Sequence, residues 1–127
     1  MLYICTGWSE YWTEDFYYSG GPGLSYDAAK YLEEKNVVLV ALDNPFTDAV
    51  NEGQFVGKAG PPEGTLPGLP TSVHHHNLTQ SGIHNIQNAN LAELAKDQVW
   101  TSCTIILPLR SQGGSGSPVR PIAVGAP

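Results

Sequence analysis

The run Val37 to Leu42, VVLVAL, constrains this chain more than any other stretch. Six consecutive apolar residues leave no polar face, and a strand of that kind is stable only when covered on both sides. What precedes it supplies one cover. Leu24-Ser25 opens a helix, with Ser25 as N-cap and Asp27 favourable in the first turn. Ala28, Ala29, Tyr31 and Leu32 form its apolar face, and Asn36 stops it. Earlier still, Leu2 to Thr6 (LYICT) reads as a buried strand ended by Gly7. Strand, helix and strand in roughly forty residues predict an α/β layered architecture.

The remainder fits one small domain spanning residues 1–127. Trp8, Tyr11, Trp12, Phe16, Tyr17 and Tyr18 crowd the stretch after the first strand. They read either as a loop packed over the edge of the core or as the wall of a pocket for a flat ligand. Gly53 to Pro70, rich in Gly and Pro, reads as a long surface excursion. Val73 to Ser81 predicts a helix ended by Gly82, and Ile83 to Gln87 a short strand. Leu91, Leu94 and Ala95 suggest one more helical turn. Val99 to Leu109 reads as a strong strand closed by Pro108. The glycines from Gly113 to Gly116 read as an ordered turn leading to a last strand, Val119 to Val124.

Composition excludes several classes. Twelve acids against six bases give a net charge of −6, and no basic patch exists for nucleic acid. No apolar run approaches the length of a membrane span. MLYICTGW has neither the charged n-region nor the long apolar core of a signal peptide, so the cytoplasm is the default expectation. The charged fraction is only 14%, which hints at surface covered by a partner. Cys5 and Cys103 each sit in an apolar, β-prone run and read as buried thiols; a disulfide would need the two strands to be neighbours.

All four histidines fall in the stretch His74 to His84, with the carboxamide Gln87 just beyond. Imidazole nitrogen and amide oxygen both suit a borderline divalent ion such as Zn²⁺ or Mn²⁺. His75 and Gln87, twelve residues apart, can meet in one crevice if a helix carries the first and the returning strand carries the second. His74 and His76 cannot aim at the same ion as His75, because a helix turns each neighbour by about 100°. Spacing alone is a weak signal and favours exposed helix histidines over a metal site. Two ligands do not close a catalytic site, which takes at least three.

Several segments together resemble the cyclase family of metal-dependent hydrolases, which includes bacterial kynurenine formamidase and isatin hydrolase. They are Leu2-Tyr3-Ile4-Cys5-Thr6-Gly7-Trp8, Pro22-Gly23-Leu24-Ser25 with Ala28, Ala29 and Leu32, Asp43 and Asp48 around Pro45, His75, Gly82-Ile83, Gln87, Pro108-Leu109, and Gly116 to Ala123. The resemblance covers nearly the whole chain in order. It implies an α/β fold of the swivelling β/β/α kind with a mixed sheet, and a dimer or tetramer. It also implies hydrolysis of a cyclic amide or an aryl formamide through a water activated by one divalent ion, Mn²⁺ or Zn²⁺. His75 and Gln87 become the metal ligands contributed by this chain, and Trp8 part of the substrate wall. The family signature H-x-G-T-H-x-D-x-P-x-H, which supplies the other ligands and the catalytic histidine, is absent, so the chain resembles the C-terminal half of a family member. No catalytic residue is expected in it. Glutamine at position 87, where formamidases carry glutamate, is nearer the isatin hydrolase pattern and favours a single ion.

Two further readings stay open: a non-catalytic short form that acts as a binding or assembly module, and a generic aromatic-pocket binder outside this family. The partners expected under the hydrolase reading are the N-terminal half of the same fold or further copies of the chain, and a small amide substrate.

Overall fold

The computed structural model describes residues 1–125, which form two compact units, one over Met1–Ala92 and one beginning at Glu93. The first unit is built on a three-stranded parallel sheet. β1 (Leu2–Ile4), β2 (Leu39–Leu42) and β3 (His84–Ile86) lie in the order β1-β2-β3, with β2 central. The register sets Ile4 against Leu42 on one side of β2, and Leu39 against His84 on the other. Leu39 to Leu42 of the apolar run become the middle strand, with Val40, Ala41 and Leu42 buried, whereas Val37 and Val38 precede it and Val38, expected to be covered, is exposed.

Helix α1 (Tyr26–Glu34) crosses between β1 and β2. Ser25 caps it, its Oγ accepting the Ala28 N–H at 3.2 Å. Asn36 ends it by adopting a left-handed backbone (φ 55°), which asparagine tolerates better than most residues. Leu32 packs with Val40, Leu42 and Ile83 to form the core, and Ile4, Leu24 and Val37 close its margin. Each such side chain contributes about 1.5–3 kcal/mol by leaving water. Tyr31, expected on the buried face, is instead exposed, its ring beneath the Lys35 ammonium.

The connection from β2 to β3 holds the long excursion, with one 3₁₀ turn at Gln54–Val56, and then a helical segment. That segment begins as an α turn, α2 (Ser72–His75), and widens into π geometry over His76–Ser81 before Gly82 (φ 67°) stops it. A uniform helix was expected. The widened turn admits an extra residue per repeat and is a feature that recurs at functional sites.

In the second unit, α3 (Ala92–Lys96) leads to an antiparallel pair, β4 (Cys103–Ile105) and β5 (Ile122–Val124), in which Cys103 faces Val124. The glycine-rich stretch is the ordered link between two strands, as expected. The strand expected over Val99 to Leu109 shortens to three residues. Pro118 and Pro121 lack the N–H groups that would extend the pairing along the partner.

Two expectations of burial are corrected. β1 is paired on one side only among the described residues, so Leu2 is exposed and Tyr3 and Ile4 are half-buried. Cys5 and Cys103 are both exposed free thiols and form no disulfide. Among the described residues no helix is long and apolar enough to cross a membrane.

Candidate active site

Parallel strands open a crevice beyond their carboxyl ends, and loops there carry polar groups without disturbing the sheet. Three such loops meet in the first unit: Cys5 to Ser9 after β1, Asp43 to Asp48 after β2, and Gln87 to Asn90 after β3.

Asp43 ties the first two together. Its Oδ1 accepts the Thr6 N–H and the Thr6 hydroxyl, each at 2.7 Å, and its Oδ2 accepts the Gly7 N–H at 2.8 Å. The Ser9 hydroxyl and the Cys5 thiol reach Oδ2 at longer range. Burial alone would push this carboxyl up; the hydrogen bonds from Thr6, Gly7 and Cys5 outweigh it and hold the group below its usual range. The neighbouring Cys5 thiol is pushed up, first by burial and then by the Asp43 charge, against the opposing Gly7 N–H. Tyr17, fully buried, donates its hydroxyl to Asn88 Oδ1 at 2.9 Å. Its phenol is pushed up to about 12 by burial, with Tyr18 and Asp43 adding to the effect.

The second knot is Asp48, His74 and Gln87. Asp48 is buried at the start of α2, where Oδ1 accepts the Val73 N–H at 2.7 Å and Oδ2 the His74 N–H at 3.1 Å. It thus satisfies two backbone donors at the helix start that have no partner within the helix. Oδ2 also lies 2.7 Å from His74 Nδ1. The other ring nitrogen, Nε2, is 3.0 Å from the Gln87 carboxamide. The amide is oriented with Oε1 toward the ring: in that sense it accepts from Thr47 N and Thr47 Oγ1, and its NH₂ donates to Pro45 O at 3.3 Å.

When Nδ1–H donates to Asp48, the neutral ring turns an Nε2 lone pair toward the Gln87 oxygen. The Gln87 oxygen accepts from that nitrogen when it carries a hydrogen; without it, the two lone pairs, 3.0 Å apart, are both open to a metal ion. A carboxylate behind a ligating histidine is the arrangement that fixes ring orientation in metal sites. The donor set therefore fits a divalent ion, with two donors from this chain. Among the described residues no group of three or more His, Cys, Asp or Glu side chains is placed to hold one.

The fold separates the histidines. His74 meets Gln87. His75 is exposed, with Thr79 Oγ1 3.3 Å from its Nδ1. His76 turns inward to Glu33, Gln80 and Ser81, with its ring edge-on to Tyr26. His84 is exposed on β3. Successive residues of a helical turn point about 100° apart, so only one of three can face β3. Trp8 packs against Tyr11 and Phe16 and donates its indole N–H to Tyr17 O at 3.2 Å; the residues after it, not Trp8 itself, border the cavity of this unit. Sequence reasoning noted Asp43 and Asp48 only as part of the family pattern. Their roles come from depth: both are buried carboxylates, Asp43 directly after the apolar strand and Asp48 farther along the loop that follows it, where a charge persists only with partners.

Comparison with known proteins agrees with the resemblance carried by these segments. The sequence model of the family described as "Putative cyclase" matches residues 1–49. Among curated proteins, the kynurenine formamidases of Bacillus thuringiensis (strain Al Hakam) and Bacillus cereus (strain ZK / E33L) are each 29% identical over 101 residues, covering 80% of this chain and 39% of the relative. The kynurenine formamidase of Bacillus anthracis is 28% identical over the same length. No solved structure matches the chain. Residues 1–49 are thus similar to the cyclase family, the chain is more distantly similar to kynurenine formamidases, and it spans 39% of the length of the curated relatives it matches.

Proposed function

We propose that this chain is the C-terminal part of a metal-dependent amide hydrolase acting on an aryl formamide of the N-formylkynurenine kind, with an isatin-like cyclic amide as the alternative substrate. The similarity to kynurenine formamidases over 80% of the chain carries this reading. The knot of Asp48, His74 and Gln87 supports it, because it offers two metal donors with a carboxylate behind the ring. The complete fold under this reading is the swivelling β/β/α layer type.

A bound Mn²⁺ or Zn²⁺ supplies Lewis acidity and lowers the pKa of a coordinated water. This chain's own contribution is to hold donors in place. Gln87 presents its amide oxygen from the end of β3, Thr47 and Pro45 fix that amide, and Asp48 fixes the facing ring. The family resemblance assigns the histidine ligand to His75, and the fold presents His74 to Gln87. The two are adjacent in sequence, and mutation separates them.

The test is hydrolysis of an aryl formamide by this chain supplied with the N-terminal portion of a Bacillus kynurenine formamidase and either ion. Turnover that needs both polypeptides and disappears in Gln87→Ala supports the proposal. No turnover above that of the N-terminal portion alone, for aryl formamides and cyclic amides alike, overturns it.

A further inference from the structure

The first unit contains a cavity of about 430 Å³ that the Asp48, His74 and Gln87 knot does not use. Its size is within the range of small-molecule sites. All three parallel strands supply it from their carboxyl ends: Ser9, Glu10 and Trp12 follow β1, Asp43 follows β2, and Asn88 and Asn90 follow β3.

The lining is chemically one-sided. Trp12 is the large aromatic surface, 54% exposed, yet it is held in place because its ring stands edge-on to buried Tyr17 at 5.3 Å. Tyr17 and Asn88 brace each other through the hydroxyl-to-carboxamide bond, which leaves the Asn88 NH₂ as a donor. Asn88 itself is in the left-handed backbone region (φ 56°), fixed there by its N–H to Asn44 O at 2.8 Å. A residue held in that region at a strand end is over-determined by its surroundings. Asp43 is already occupied by Thr6 and Gly7. Glu10 forms no ion pair among the described residues, and no Lys, Arg or His borders the cavity.

The geometry points to a binding site for a flat aromatic ligand that carries a protonated amine, with the ring against Trp12 and the ammonium toward Glu10. Aromatic faces attract cations, and a carboxylate at the rim adds to that attraction. An aromatic carboxylate finds no cationic partner there and meets Glu10 instead. The site needs no metal, so it stands or fails separately from the hydrolase reading.

The experiment is an NMR titration of the ¹⁵N-labelled 127-residue chain, free of added metal. The probes are phenethylamine and 3-phenylpropionate, matched in ring and opposite in charge. Phenethylamine is expected to shift the Trp12 indole and Asn88 side-chain signals and to bind on the order of tenfold tighter than the acid. Glu10→Gln should erase that preference, and Trp12→Ala should abolish the shifts. Trp12 is exposed, so its removal leaves the fold intact. Absence of shifts with both probes, equal affinity for the two, or a preference that survives Glu10→Gln would overturn the assignment.

Discussion

Asp43 Oδ1 accepts two hydrogen bonds from Thr6, one from its N–H and one from its hydroxyl, both at 2.7 Å. One side chain just beyond the central strand thereby fixes the turn that leaves the edge strand. Asp43→Ala should lower stability by about 2–3 kcal/mol, since it removes charge-assisted bonds to several donors, and Thr6→Val by about 1 kcal/mol. Urea unfolding of the two variants measures both.

The same group predicts an acid transition. Its folded pKa lies below the ordinary value of 3.8, so its contribution to stability is complete above that value. It is lost as pH falls through 3.8 toward the depressed folded value. Unfolding midpoints measured across this range should fall steeply for the parent chain and less steeply for Asp43→Asn. Parallel curves would refute the role.

Tyr17 makes the opposite prediction at high pH. Its folded pKa is about 12 against 10.0 unperturbed, so the native state keeps a proton that the unfolded chain gives up. Its contribution is full below pH 10.0 and is lost as pH rises toward 12. Tyrosinate absorbance should show one late step near pH 12 that vanishes in Tyr17→Phe.

Gly23 lies against the backbone of Asp48 and Ala49, so closely that a Cβ would collide with main-chain atoms on both residues. This contact lets Leu24 N–H reach Thr47 O at 2.8 Å and brings the turn before α1 to the loop after β2. Backbone cannot swing aside as a flexible side chain can. Gly23→Ala should cost about 3 kcal/mol, at the upper end for overpacking, while Gly60→Ala, with open space around it, should change stability by less than about 1 kcal/mol. Thermal melts of the pair compare them directly.

The parts of this fold written in local pattern were legible in the sequence. VVLVAL supplies the central strand because it has no polar face, Ser25 caps because its oxygen can reach Ala28, and Gly82 ends a helix because it accepts a left-handed backbone. Exposure was less legible. Cys5 and Cys103 lie in apolar runs, but each strand has too few neighbours to cover them. Least legible was which of three consecutive histidines turns toward Gln87. That depends on the phase of a turn set by Asp48, which binds the Val73 and His74 N–H groups from 25 and 26 residues away in sequence. Asn88 gave no signal of its own, since its role comes from a bond to Tyr17 across 71 positions.

That phase yields the last prediction. His74 is joined to Asp48 and Gln87, whereas His75 is exposed and touches only its own helical segment. His74→Ala leaves a buried carboxylate oxygen without its ring partner and should cost about 1–3 kcal/mol. His75→Ala should stay within about 0.5 kcal/mol, as surface substitutions do. Ion retention divides the same way. In the assembly completed with the N-terminal portion of a formamidase, native mass spectrometry should find one Mn²⁺ or Zn²⁺ retained by His75→Ala and lost by His74→Ala. Retention by His74→Ala with loss by His75→Ala would return the ligand to the position that the family resemblance assigns. The helical turn would then have to rotate by one residue when the ion binds, breaking the Asp48 contact to His74 Nδ1 on the way.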